Sequence, residues 1–173
     1  MIVLQTPRLI LRSFAYTDLD EMSALTANKD FMRFSLGVFS REQTIAFLDK
    51  VRARDRDGLP SQFAVLVRPE ERLIGYCGFF VQIVDDVEEL EIGYRLHPDY
   101  WGKGLATEAA RAVRDYGSKE LHLPRLISLI HPENLASRRV AEKNGVTPEK
   151  ETVFRGFPAT VFGIRREIWM SSR

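Results

Sequence analysis

Ten residues, Tyr100-Trp101-Gly102-Lys103-Gly104-Leu105-Ala106-Thr107-Glu108-Ala109, hold the most chemically informative spacing in this chain of 173 residues. They lie between a strand-like stretch that ends at Leu96 and a helical stretch that begins at Leu105. Two glycines let the backbone approach a ligand closely, and a helix start presents free N–H groups at the positive end of its dipole. A phosphate or pyrophosphate is the natural occupant, and Lys103 adds a mobile positive charge. Two common phosphate loops fail on spacing. A Walker loop needs Ser or Thr directly after Gly-Lys and a glycine where His97 stands; here Gly104 follows Lys103. A dinucleotide fingerprint needs a third glycine where Thr107 stands. Elsewhere, His97, His122 and His131 are scattered without metal-ligand spacing, so no metal is expected. Cys77 has no adjacent histidine and reads as a core residue.

The loop needs elements that hold it. Leu90, Ile92, Tyr94 and Leu96 alternate with Glu89, Glu91, Gly93 and Arg95, which predicts a strand with two distinct faces, ended by Pro98. A helix from about Leu105 to Glu120 and a strand from Arg125 to Ile130 follow, completing a βαβ unit with parallel neighbours. Before it, Leu9-Ile10-Leu11 reads as a strand, Thr17 as the cap of a helix over Asp18 to Ala27, and Ser40 with Gln43 as a capping box. Phe63 to Val67 and Leu73 to Val84 form a hairpin, in which Gly75 and Gly78 mark a bulge or close backbone approach. Asp85-Asp86 makes the next turn. A helix from Leu135 to Asn144 stops at Gly145, and strands around Glu151 to Phe154 and Thr160 to Trp169 close the chain. The fold class is therefore α/β: a mixed, mostly antiparallel sheet with one central parallel pair, flanked by helices.

Composition sets the outer bounds. Hydrophobic residues make up 45% and charged residues 28%, ordinary for one globular domain over residues 1–173. A net charge of +1 gives no bulk attraction to nucleic acid or anionic membrane. A single cysteine permits no internal disulfide, and no leader-like or membrane-spanning run is found, so a cytoplasmic location is expected. Edge strands near the C-terminus are compatible with a homodimer.

Taken in order, four blocks resemble the GNAT superfamily of N-acetyltransferases. Its cofactor loop reads Gln/Arg-x-x-Gly-x-Gly/Ala, and in Trp101-Gly102-Lys103-Gly104-Leu105-Ala106 the last four positions match, with Trp101 replacing the opening residue. A Tyr-Trp-Gly-x-Gly run resembles the ribosomal-protein N-terminal acetyltransferase branch. So do Thr6-Pro7-Arg8-Leu9-Ile10-Leu11-Arg12, Glu91-Ile92-Gly93-Tyr94, and the pair Asn134 to Ser137 with Glu142 to Gly145.

The resemblance implies acetyl-coenzyme A as acyl donor and a primary amine as acceptor, foremost the α-amine of a ribosomal or other protein N-terminus. A small amine (amino acid, polyamine or aminoglycoside) and a non-catalytic acyl-coenzyme A binding module are the alternatives. The backbone of Arg95 and Leu96 would pair with the pantetheine arm, and amides from Gly102, Lys103, Gly104, Leu105, Ala106 and Thr107 would hold the pyrophosphate. Asn134 would contact the cofactor or simply cap its helix. Glu91, directly or through water, is the candidate base, with Glu89 second on the same face; either is also readable as an ordinary strand carboxylate. Glu108 reads as a structural acid at a helix start. Relatives carry a tyrosine acid where Ala141 stands here, so Ser137 or a water is assigned the proton for the departing thiolate. Asn28 to Phe39 and Asp85 to Glu89 are expected to face the acceptor.

Overall fold

The runs Leu9–Leu11, Phe63–Val67 and Leu73–Phe79 lack a polar face because helices cover their strands on both sides. The computed structural model describes residues 1–171. In chain order the elements are β1 (Ile2–Gln5), β2 (Leu9–Arg12), α1 (Leu19–Thr26), α2 (Arg41–Arg56), β3 (Gln62–Val67), β4 (Arg72–Val84), β5 (Val87–Leu96) and α3 (Leu105–Lys119). They continue with β6 (Arg125–Ile130), α4 (Leu135–Lys143), β7 (Thr147–Phe154), β8 (Phe157–Arg165) and α5 (Arg166–Ser171).

One eight-stranded sheet has the order β1-β2-β3-β4-β5-β6-β8-β7. Every pairing is antiparallel except β5 with β6. On one face, Leu9, Leu11, Phe63, Val65, Cys77, Phe79 and Ile92 pack with Leu105, Ala109 and Val113 of α3. On the other, Ile10, Ala64, Leu66 and Tyr76 pack with Met22 and Leu25 of α1 and Leu48 and Val51 of α2. Period-two alternation thus sends Ile92, Tyr94 and Leu96 towards α3, leaving Glu91, Gly93 and Arg95 on the α1–α2 side.

Most local signals act as their chemistry predicts. Ser40 Oγ accepts the Gln43 amide and Gln43 Oε1 accepts the Ser40 amide, closing the capping box of α2. Asp85 and Asp86 have φ of 49° and 63°, the left-handed pair that suits a two-residue hairpin turn. Both β4 glycines mark close approach. A Cβ on Gly75 would lie 2.0 Å from Arg95 O, and one on Gly78 would lie 2.4 Å from Ser61 O. The β3–β4 register also slips by one residue beside Gly75.

Two expectations are corrected. Thr17 does not cap α1: it sits in a 3-10 turn (Tyr16–Asp18), and Asp18 organises the entry instead. The Asp18 carboxylate accepts the Ala15 amide at 2.8 Å and a bidentate pair from Arg12 at 2.7 Å each. The last strand ends at Arg165, and Trp169 belongs to α5. The pairing explains this, because Arg165 faces Arg125, the first residue of β6, and beyond it no strand remains to bond. The sequence reading also passed over β1, a four-residue edge strand.

The start of α3 is fastened to β2 across about a hundred residues of sequence. Glu108 accepts the Thr6 hydroxyl at 2.6 Å, the Arg8 amide at 3.0 Å and Arg8 Nε at 2.7 Å, while Arg8 Nη1 reaches Lys103 O at 2.8 Å. Burial alone would raise the Glu108 carboxyl, but these hydrogen bonds outweigh it and hold it below the ordinary range. A depressed carboxyl stabilises the fold above its unfolded pKa, near ~4.3, and that stabilisation is lost as pH falls through the folded value. Replacing Glu108 by Ala is expected to lower unfolding stability at pH 7 by about 1–3 kcal/mol. In urea melts, the difference from the parent protein should shrink as pH drops below about 4. Equal differences at pH 7 and pH 3 would refute this role.

Candidate active site

The loop after β5 owes its shape to two left-handed residues, Gly102 (φ 71°) and Gly104 (φ 77°), which side-chain-bearing residues rarely adopt. Trp101 begins it by donating its indole N–H to Leu96 O at 2.7 Å, folding the loop back on the end of β5. Arg8 draws the Lys103 carbonyl to the opposite side. The first backbone bond of α3 runs from Glu108 N to Gly104 O. The amides from Gly102 to Thr107 therefore precede the helical ladder and lie at its positive end. Leu105 is buried in the core and Ala106 and Thr107 are half-buried, so these residues offer the loop their backbone while their side chains anchor it. Lys103 is exposed, its ammonium 5.4 Å from the Tyr100 ring centre.

Beside this loop the sheet opens. β5 and β6 register at Glu91 opposite Ile127. Beyond that point side chains take over the backbone's bonds. Ser128 Oγ donates to Ile92 O at 3.2 Å, and the Leu129 amide donates to Glu91 Oε1 at 3.3 Å. A cavity of about 620 Å³ occupies the divergence. Asn134 and Ser137 line it at the start of α4, Gln82 and Glu91 on β4 and β5, and Phe47 and Arg54 on α2. It thus joins the two faces of the sheet.

Glu91 is half-buried, and burial pushes its carboxyl above the ordinary carboxylate range. Hydrogen bonds from Gln82 Nε2 (2.7 Å) and the Leu129 amide only partly offset that rise. Glu89 shares the face but not the setting. Its carboxylate binds Arg125 at 3.0 Å, which also holds Glu149 at 2.6 Å, and it does not line the cavity. Asn134 caps α4, accepting the Ser137 amide at 3.1 Å through Oδ1, and it still lines the cavity. The Tyr94 hydroxyl donates to Ser137 O at 3.1 Å, locking the first turn of α4 to β5.

Arg95 and Leu96 part company. Leu96 is a core residue whose carbonyl is held by Trp101, whereas the Arg95 guanidinium crosses to the other face. There it donates to Phe31 O at 3.1 Å and Arg33 O at 2.7 Å, pinning the segment between α1 and α2. That segment, expected to face the acceptor, lines the cavity through Phe34, Leu36 and Phe39. Asp85 to Glu89 do not. Asp85 pairs with Lys150 at 2.7 Å and accepts from Thr152 at 2.6 Å, turning that hairpin towards β7. Phe154, Arg155 and Phe157 of the β7–β8 hairpin line the cavity in its place. Gln82, Tyr76 and Arg155 also line it, and neither motif nor period marks them. Cys77 is fully buried, and burial pushes its thiol up, as suits a core residue. Among the described residues no cluster of His, Cys, Asp and Glu could hold a metal, and no helix is long and apolar enough to cross a membrane.

Comparison with known proteins bears on this arrangement. The family profile of the acetyltransferase (GNAT) domain matches residues 8–147. The uncharacterized N-acetyltransferase YnaD of Bacillus subtilis (strain 168) is 35% identical over 145 residues, covering 83% of this chain and 82% of its own. Two solved structures share the fold at lower identity. RimL, a ribosomal L7/L12 α-N-protein acetyltransferase in complex with coenzyme A, superposes with a TM-score of 0.79 at 18% identity, covering 95% of this chain and 98% of its own. A spermidine N-acetyltransferase from Vibrio cholerae, in complex with coenzyme A and spermine, gives 0.78 at 21%, covering 95% and 99%. Proteins with such different acceptors fit equally well, so overall shape does not select the acceptor. With its profile match across most of the sequence and a relative of this identity over most of both chains, the protein belongs to the GNAT family of acetyltransferases.

Proposed function

We propose that the protein transfers an acetyl group from acetyl-coenzyme A to the α-amine of a peptide or protein N-terminus, by direct attack within a ternary complex. The observation that carries this reading is Glu91, a carboxylate with a raised pKa set where the two central strands part. The residues present suit the donor. Backbone N–H groups from Gly102 to Thr107, with Lys103 beside them, match a diphosphate. Around Arg95, β5 is bonded to β4 on one edge, and its other edge, with no β6 register beyond Glu91, suits an amide-bearing arm that adds to a strand edge; Asn134 keeps an amide nitrogen for it. When bound, acetyl-coenzyme A supplies an acyl carbon activated as a thioester.

The chain's own residues do the rest. Glu91 receives the proton that the acceptor ammonium must lose before it can attack. An α-ammonium near ~8 gives up that proton about 3 kcal/mol more readily than a lysine near ~10.4, so a carboxylate base suits an α-amine better. Ser137 Oγ lines the same cavity and is the donor from which a proton returns to the leaving sulfur. One observation favours a small amine instead. Phe34 stacks on His131, with ring centres 5.3 Å apart, and both residues stand in the cavity wall.

Thiol release with acetyl-coenzyme A and a panel of peptides, amino acids and polyamines decides between these acceptors. Release with free-α-amine peptides, abolished by N-terminal blocking, is expected; release only with small amines would reject the reading, and binding without release would leave a coenzyme-binding module. Glu91→Gln should lower kcat/KM by about 10²–10⁴-fold and remove the acidic limb of its pH profile. That limb should lie above the ordinary carboxylate range in the parent enzyme. Because a raised carboxyl is bound to its proton more tightly in the folded state, it costs stability at neutral pH. Glu91→Gln should therefore melt at an unchanged or higher temperature at pH 7. In single-turnover assays Ser137→Ala should slow acyl transfer without weakening coenzyme binding; an unchanged rate would remove it from the mechanism.

A further inference from the structure

The cavity walls are unevenly charged. Lys50, Arg54, Arg95 and Arg155 line it against only Glu91 and Glu133. Several cations elsewhere are matched, such as Arg8 with Glu108, Arg12 with Asp18, and Arg125 with Glu89 and Glu149. Among the described residues, none of the four cavity cations forms an ion pair with a carboxylate within 4.0 Å. What hydrogen bonds they make go to neutral groups. Arg95 donates to the Phe31 and Arg33 carbonyls, Arg54 Nε to Pro60 O at 3.0 Å, and Arg155 Nη2 to Gln82 Oε1 at 3.3 Å. Neutral acceptors orient a guanidinium without cancelling its charge.

Two of these cations stand near the base. Gln82 bridges Arg155 to Glu91, accepting from one and donating to the other, and both Arg155 and Arg95 act electrostatically on the Glu91 carboxyl. An incoming ammonium is thus flanked by two fixed positive charges. Further along the wall, Gln62 is 2% exposed, and both polar atoms of its carboxamide lack a partner. A buried amide donor left open in a wall that also carries these cations suits an anion.

We propose that the acceptor carries a carboxylate close to its reactive amine, paired with Arg155 and Arg95, so that acidic acceptors are selected and polycationic ones excluded. This rests on the reading that Glu91 receives the amine. The carboxylate has two sources: a free amino acid, or Asp and Glu in the first positions of a peptide. A polyamine adds charges of the wrong sign to the same walls, and repulsion works against it at every step of entry.

The test compares C-terminally amidated peptides that begin with serine and continue with two aspartates, two alanines or two lysines, alongside glutamate and spermidine. The aspartate peptide should exceed the alanine peptide by about tenfold in kcat/KM and the lysine peptide by about a hundredfold, with both gaps narrowing at 0.5 M salt, roughly, where screening is strong. In Arg155→Gln, an exposed hairpin-tip change, the acidic-to-neutral ratio should fall towards one whatever happens to the absolute rate. As a readout independent of turnover, the N-acetylated aspartate peptide should bind the coenzyme A complex more tightly than its alanine counterpart by calorimetry. Equal use of all three peptides, or an unchanged ratio in the variant, overturns the inference while α-amine transfer stands. Use of glutamate but no peptide upholds the charge selection and rejects the peptide reading. Use of spermidine alone overturns both.

Discussion

Everything chemical in this protein depends on one interruption: two parallel neighbours at the centre of the sheet cease to share backbone hydrogen bonds after Glu91 and Ile127. A parallel pair buried in a sheet normally satisfies every N–H and C=O between its strands. Here the Leu129 amide is satisfied by a carboxylate and the Ile92 carbonyl by a serine hydroxyl, so the strands separate without leaving those groups bare. The same carboxylate that fills the gap is the one proposed above to handle a proton. On that proposal, opening the sheet and positioning the base are one structural act.

The gap is useful only because rigid parts frame it. On the α3 side, Arg8 and Glu108 fasten the loop and the helix start to β2, so its amides are presented by a fixed scaffold. On the other side, Arg95 gathers carbonyls of the α1–α2 segment and brings Phe34 and Phe39 over the cavity. The motif Thr6-Pro7-Arg8 acquires a physical reason: its hydroxyl, amide and guanidinium together saturate Glu108. Arg12, at the end of the same motif, does the corresponding work on Asp18.

Charge is distributed with equal economy. Carboxylates that hold elements together are paired and kept ionised, as Glu108 and Asp18 are, their hydrogen bonds outweighing burial. Glu91 goes the other way, with burial prevailing. Position in the chain does not settle such surroundings, because Glu89 and Glu91 lie two residues apart on one face, yet Glu89 meets Arg125 and Glu91 meets Gln82.

Sequence alone determined the features that local physics controls. The hairpin at Asp85-Asp86, the capping box at Ser40, the glycine-bearing loop before α3 and the order of strands around the βαβ unit were all legible, since each depends on a few adjacent residues. It misjudged Thr17 and the end of the last strand, where long-range partners decide: Arg12 claims Asp18, and β6 begins too late to pair with Trp169. Only the tertiary structure separated Glu91 from Glu89, turned the Asp85–Glu89 turn away from the cavity, and brought Gln82, with Arg155 behind it, to Glu91. Those assignments hinge on contacts across tens of residues, such as Arg125 reaching Glu89 and Arg155 reaching Gln82. No periodicity encodes such contacts, because they arise from how finished strands and helices pack.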